Sequence, residues 1–311
     1  MRIVFMGTPD FSVEILKAIY EAGHDVALAV AQPDKKTGRG RELSEPPVKV
    51  YAKGAGIEVF QPERIREEAS IEAIRIKRPE LIVVAAYGQI LPKAILDIPE
   101  YGCINVHTSL LPKYRGASPI QQAILNGDKI SGVTIMQMDE GMDTGPILLQ
   151  RSIEIAEKET GGSLFEKLSR LGAGLCLEGI GLLAEGKIEA LPQDEAKATY
   201  TKLIKKDAGK IDFSLSAIEI ERKIRAFTPW PSAFTTYKGK KLKLWAADAQ
   251  MGGAEKTQEA GTIIAIKDGI YVQCGEGVLA IKELQAEGRK RMDWKSFLNG
   301  VKLAEGDCLG G

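Results

Sequence analysis

The chain opens on an apolar run, Ile3-Val4-Phe5-Met6, which predicts a strand over 2–6 buried on both faces. Thr8 is placed to cap the next helix, with Pro9 at its first position, Asp10 in its first turn and Gly23 at its end. The cycle then recurs: strand 25–31, a polar loop, a helix from Pro47, strand 57–60, helix 63–77 and strand 81–86. A helix near 92–97, strand 103–107, helix 117–126 and strand 132–138 follow, and a long helix over 161–185 closes this half. Strands alternating with helices predict parallel strands joined by right-handed crossovers. The expected class is α/β, with a doubly wound, mostly parallel sheet of the Rossmann-like kind.

Past residue 186 the pattern changes. Residues 187–212 hold a proline, scattered charges and few apolar positions, and read as a connection. Ser216 with Glu219 forms a capping box that opens a helix carrying Ile220, Ile224 and Phe227 on one face. After Pro229-Trp230-Pro231 come short strands at 233–238, 242–248, 261–266, 270–274 and 278–284, with Asp268-Gly269 as a hairpin turn. Five such strands suggest a small β-barrel of the OB-like type. The expected division is 1–189, a linker over 190–208, and a barrel domain over 209–311.

Composition adds limits. A length of 311 residues favours two cores over one. Cys103, Cys176, Cys274 and Cys308 stand far apart with no C-x-x-C, which argues against a disulfide framework or a zinc site and for a reducing, cytoplasmic setting. No apolar run approaches the ~20 residues that span a bilayer, and the N-terminal run is too short for a signal peptide. Net charge is zero, but it is unevenly spread: residues 197–243 hold 12 basic and 4 acidic side chains. Such a segment fits either an occasional polyanion partner or a solvated lysine-rich surface.

The candidate chemistry sits in Asn105-Val106-His107-Thr108-Ser109-Leu110-Leu111-Pro112-Lys113-Tyr114-Arg115-Gly116. It follows a predicted strand, at the carboxyl edge where open α/β sheets bind ligands. Asn105 and His107, two apart in extended chain, project the same way. Together they offer donors to an oxyanion, and the imidazole can also carry a proton. The plain alternative is a strand-end histidine bonded to backbone. Asp143, bracketed by Gly141 and Gly145, can orient an imidazole or accept a proton, or else is a turn residue like Asp139 and Glu140. Gly7-Thr8-Pro9 supplies one glycine where a dinucleotide fingerprint needs three, so a nicotinamide cofactor is not expected.

N-x-H-x-S-L-L-P-x-x-x-G followed by an aspartate in a glycine loop resembles the 10-formyltetrahydrofolate-dependent formyltransferases. Gly7-Thr8-Pro9-Asp10-Phe11, Gln32-Pro33-Asp34…Gly38-Arg39-Gly40, Gly141-Met142-Asp143-Thr144-Gly145 and Arg225-Ala226-Phe227…Pro229-Trp230-Pro231 are similar to the branch whose acceptor is the methionine of initiator tRNA. The resemblance spans essentially the whole chain. It implies an enzyme of translation initiation that moves a formyl group from 10-formyltetrahydrofolate to the methionyl amine, without a metal. Asn105, His107 and Asp143 fall on the family's catalytic positions, and Ser109, Leu110, Leu111 and Pro112 on its folate-contacting turn. Initiator methionyl-tRNA is the implied partner, with no membrane association and a monomeric protein. Its expected contacts are Lys205, Lys206 and Lys210 in the basic segment, and Arg39 and Arg41 in the long cationic loop between Gln32 and Val48.

Overall fold

Alternating apolar and polar runs do produce alternating strands and helices as far as residue 126, apart from additional short strands at 35–37, 42–44 and 115–116. The computed structural model describes residues 1–37, 42–250 and 258–310. Its first elements are β1 (Arg2–Gly7), α1 (Asp10–Glu21), β2 (Asp25–Val30), β3 (Lys35–Thr37), β4 (Glu42–Ser44), α2 (Pro47–Gly54) and β5 (Val59–Phe60). Then come α3 (Glu68–Arg75), β6 (Leu81–Ala85), α4 (Lys93–Leu96), β7 (Cys103–His107), β8 (Arg115–Gly116) and α5 (Pro119–Asn126). β9 (Ile130–Gln137), β10 (Ile147–Glu154) and α6 (Gly161–Ala184) follow.

Seven of these strands form one sheet in the order β10-β9-β7-β6-β1-β2-β5. β1, β2, β5, β6 and β7 run parallel, as doubly wound folds require. β9 lies antiparallel to β7, and β10 antiparallel to β9. The antiparallel end departs from the simple alternation, and β10 has no counterpart among the predicted strands. Residues 138–146 hold no helix to make a crossover, so the chain can only return beside itself. β10 is an edge strand whose exposed Gln150-Arg151-Ser152 hides the apolar signature of a buried strand.

Two local expectations are corrected. Thr8 does not cap α1: the N-cap is Pro9, without a side-chain bond, and the Thr8 hydroxyl instead donates to the carbonyl of Tyr87 at 3.0 Å. The helix predicted over 63–77 begins only at Glu68, because Glu67 is extended and Ile65 donates its amide to the Gln89 side chain.

The second half contains β11 (Tyr200–Thr201), α7 (Ala217–Ala226), β12 (Ala233–Tyr237), β13 (Lys240–Gln250), β14 (Ile263–Ile266) and β15 (Ile270–Gln273). β16 (Val278–Ala286), β17 (Met292–Asp293) and α8 (Trp294–Leu298) complete it. Ser216 and Glu219 form the expected capping box at the start of α7. The antiparallel strands order as β12-β13-β16-β15-β14, with β17 on β16. Residues 306–310 link the two edges: Leu309 donates to Gly261 beside β14, and Gly310 to Thr236 of β12, both at 2.9 Å. The sheet thereby closes into a small barrel. Ile220 and Ile224 of α7 join Leu242, Leu244, Ile263, Val272, Ile281 and Phe297 in its core.

By contacts the chain groups into two compact units that are not divided at one point. The first comprises Met1–Pro119, Ile130–Glu154 and Phe165–Thr201; the second comprises Ile120–Lys129, Ile155–Leu164 and Lys202–Gly311. Within the second, the Arg225 guanidinium donates to the Glu159 carbonyl at 3.0 Å, Gly162 donates to Thr228 at 2.8 Å, and Lys158 pairs with Asp248 at 2.7 Å.

Candidate active site

β7 sets the site. Val106 is buried on one side of the strand, while Asn105 and His107 share the other. The chain then turns through Ser109–Pro112, and neighbouring strands stitch that turn in place. Thr134 of β9 donates its hydroxyl to the Ser109 carbonyl at 2.6 Å and accepts the Leu111 amide at 3.1 Å. Gln150 of β10 donates to the Leu111 carbonyl at 2.7 Å. Gly132 is needed where Leu110 crosses β9, since a Cβ there would collide with the Leu110 side chain and the Arg151 carbonyl.

His107 is buried, and its Nε2 lies 3.0 Å from the carbonyl oxygen of Tyr114. A carbonyl only accepts, so Nε2 carries the hydrogen and Nδ1 is the basic nitrogen of the neutral ring. Nδ1 faces Oδ2 of Asp143 at 3.7 Å. The same Oδ2 accepts the Gly116 amide at 2.7 Å, and Oδ1 receives Nδ2 of Asn105 at 3.4 Å. Strand-end bonding to backbone and convergence on a carboxylate therefore coexist at this histidine.

Asp143 has φ 55°, in the left-handed region that few non-glycine residues occupy. Asp139 braces its loop by accepting the Gly141 amide and the Thr144 hydroxyl. On the other side Gln193 donates Nε2 to the carbonyls of Asp143 and Gly145, at 2.8 and 2.7 Å. The Gln193 oxygen accepts from Arg115, which also grips Glu195 through both terminal nitrogens at 2.9 and 2.6 Å. That contact holds the Glu195 carboxyl below its ordinary pKa. β8 pairs with β11, so residues 199–201 are bonded to the segment just after the turn.

Sequence reasoning missed Arg115, Gln193, Glu195, Thr134 and Gln150. Arg115 lies inside the quoted motif, but nothing in its spacing marks it. Gln193 stands 50 residues beyond Asp143, in a stretch without periodicity. Lys205, Lys206 and Lys210 are exposed and lie on the second unit. Lys206 and Lys243 raise the positive potential at Lys241, whose pKa is lowered first by desolvation and then by those charges. Lys241 sits 3.4 Å from the Phe234 ring centroid, and Lys243 and Arg291 lie at 5.4 and 5.3 Å from that of Trp245. Arg39 and Arg41 lie outside the described residues. Among the described residues no cluster of His, Cys, Asp and Glu could hold a metal ion.

Residues 1–179 match the family model described as formyl transferase, and 203–302 match the formyl transferase C-terminal domain. A methionyl-tRNA formyltransferase of Agathobacter rectalis is 53% identical over 98% of this chain and 98% of its own length. This chain belongs to the methionyl-tRNA formyltransferases. Among solved structures, an N-formyltransferase from Helicobacter canadensis in complex with folinic acid and dTDP-3-aminofucose has a TM-score of 0.67 at 20% identity, covering 90% of this chain and 98% of that one. HypX from Aquifex aeolicus, in complex with tetrahydrofolic acid, matches with a TM-score of 0.65 at 18% identity over 98% of this chain. This chain spans 48% of HypX. At those identities the two structures share the fold. Membership among the methionyl-tRNA formyltransferases rests on the 53% identity to the Agathobacter rectalis relative, which runs through both halves of the chain.

Proposed function

We propose that this chain transfers the formyl group of 10-formyltetrahydrofolate to the free amino group of methionine on initiator tRNA, giving N-formylmethionyl-tRNA. The observation that carries this reading is the convergence of Asn105, His107 and Asp143 at the carboxyl edge of the sheet. Attack by an amine on a formyl carbon builds negative charge on the formyl oxygen, for which the second Nδ2 hydrogen of Asn105 is a donor, joined by Nδ1 of His107 once that nitrogen has taken a proton. The amine must also shed a proton, which either of the two acceptors Nδ1 of His107 and Asp143 can take, and as the bond from the formyl carbon to N10 breaks that proton passes to N10 of the departing tetrahydrofolate. Most of the acceleration then comes from holding amine and formyl donor together.

The turn Ser109-Leu110-Leu111-Pro112 is assigned to the folate, supported by its place beside the trio and the side chains that fix its backbone. Lys205, Lys206 and Lys210, with the cation–aromatic surface of β12 and β13, are assigned to tRNA phosphates and unpaired bases. Arg39 and Arg41 belong to the same assignment on the strength of the motif. In functional terms residues 1–189 supply most of the catalytic domain and 209–311 the tRNA-binding barrel, with the connection over 190–208 bonded to the first unit as far as Thr201, in a monomer acting in the cytoplasm. Among the described residues no helix is long and apolar enough to cross a membrane.

The test is incubation with 10-formyltetrahydrofolate and Met-tRNA. Formylated methionine released from the tRNA supports the reading. Folate turnover that is indifferent to the acceptor would replace it with a hydrolase.

A further inference from the structure

Arg115 is a buried cation whose side chain has no exposed surface, yet it touches neither His107 nor the Asp143 carboxylate. Its guanidinium donates through Nε and Nη2 to the Gln193 oxygen, at 3.1 and 2.9 Å, through Nη1 and Nη2 to Glu195, and through Nη1 to the Tyr200 hydroxyl at 3.0 Å. Arginine only donates, and the carbonyls of Asp143 and Gly145 only accept. The Gln193 amide therefore has one possible orientation, its oxygen to Arg115 and its nitrogen to the two carbonyls. Those carbonyls belong to the left-handed residue Asp143 itself and to Gly145 two residues on, so the amide holds the chain as it leaves a conformation that costs energy unless its surroundings fix it. Meanwhile the backbone on either side of Arg115 bonds the site directly: the Tyr114 carbonyl takes His107, and the Gly116 amide takes Asp143. The loop of bonds is closed.

We propose that Gln193, oriented by Arg115, is a positioning residue that aims the Asp143 carboxylate at His107. The stretch from Gln193 to Tyr200 is thereby part of the catalytic apparatus as well as a connection. The proposal rests on the formyl-transfer reading, since its readout is that reaction.

Gln193→Glu separates positioning from scaffolding. It keeps an acceptor for Arg115, now charge-assisted, but sets a carboxylate against two carbonyl oxygens. With 10-formyltetrahydrofolate and Met-tRNA as substrates, Gln193→Glu and Gln193→Ala should each lower kcat about 10-fold or more. The KM of either substrate should move less than about twofold, and the melting curve of Gln193→Glu should show it folded at the assay temperature. Wild-type kcat in Gln193→Glu, or a loss confined to KM, would overturn the proposal. A wild-type enzyme that makes no formylmethionyl-tRNA would instead overturn the functional reading, so the two failures are told apart by the parallel control.

Discussion

Oδ2 of Asp143 lies 3.7 Å from Nδ1 of His107, beyond the reach of a direct hydrogen bond. With Nε2–H committed to Tyr114, two electron-rich atoms face each other across that gap when the imidazole is neutral and Asp143 is a carboxylate. A single added proton, or an N–H lodged between them, turns repulsion into attraction. Asp143→Asn keeps the size of the side chain and the Gly116 contact but cannot take a proton. Its turnover should drop ~10²-fold or more while folate affinity stays the same. Single-turnover formylation beside equilibrium folate binding checks both, and near-normal turnover would leave Asp143 as a turn residue.

Asn105 contributes an amide that has a second hydrogen to offer beyond the one directed at Asp143. Asn105→Ala should cost ~10²-fold in kcat, the scale of a lost oxyanion donor, and Asn105→Asp should be no better despite its matching shape. His107→Ala should fall at least as far, because donor and proton carrier leave together. The comparison of kcat among the three variants decides it: activity in Asn105→Asp near the wild-type level would exclude donation as the role of this side chain.

Exposed Lys205 and Lys206 should act through counterion release. Replacing both by Ala should weaken tRNA binding and flatten the dependence of affinity on salt, leaving folate affinity intact. Arg39→Ala should likewise lower efficiency with tRNA and spare folate binding. Titrations at several salt concentrations measure the slope. An unchanged slope returns the two lysines to the solvated surface.

Asp268, in the β14–β15 turn, is held at a pKa of about 2 by hydrogen bonds first from Tyr271 and then from Lys282. A carboxyl depressed in the folded state adds stability above its unfolded pKa, and that stability is lost as pH falls toward the folded value. Thermal melts of wild type and Asp268→Asn should thus diverge at neutral pH and converge as pH falls from about 4 to about 2. Parallel melting curves across that window would show the turn contributes nothing through its charge.

The convergence of Asn105, His107 and Asp143 was partly legible in the chain because its constraints are local. Two residues apart in a strand share a face, which paired Asn105 with His107, and two glycines flagged Asp143. Gln193 left no such trace: it acts through one amide set against backbone carbonyls, and any polar residue in an irregular stretch looks the same. β10 was hidden for a related reason, since its exposed edge residues dilute the apolar pattern. Thr8 shows the reverse error. Its spacing to Pro9 and Asp10 suits a cap, but a long-range partner, the Tyr87 carbonyl, takes the hydroxyl instead. Local rules identify what a residue can do, and distant chain decides which option it takes.

The interleaving of the two compact units limits how the gene could be cut. A fragment ending at residue 201 would retain Ile120–Lys129 and Ile155–Leu164 while discarding the chain they group with. The complementary fragment from 202 would lack the Glu159 carbonyl that receives Arg225, the Gly162 amide that binds Thr228 and the lysine that pairs with Asp248. Each piece would lose partners that the other carries, so a fragment from residue 202 onward, made alone, should melt below the intact chain.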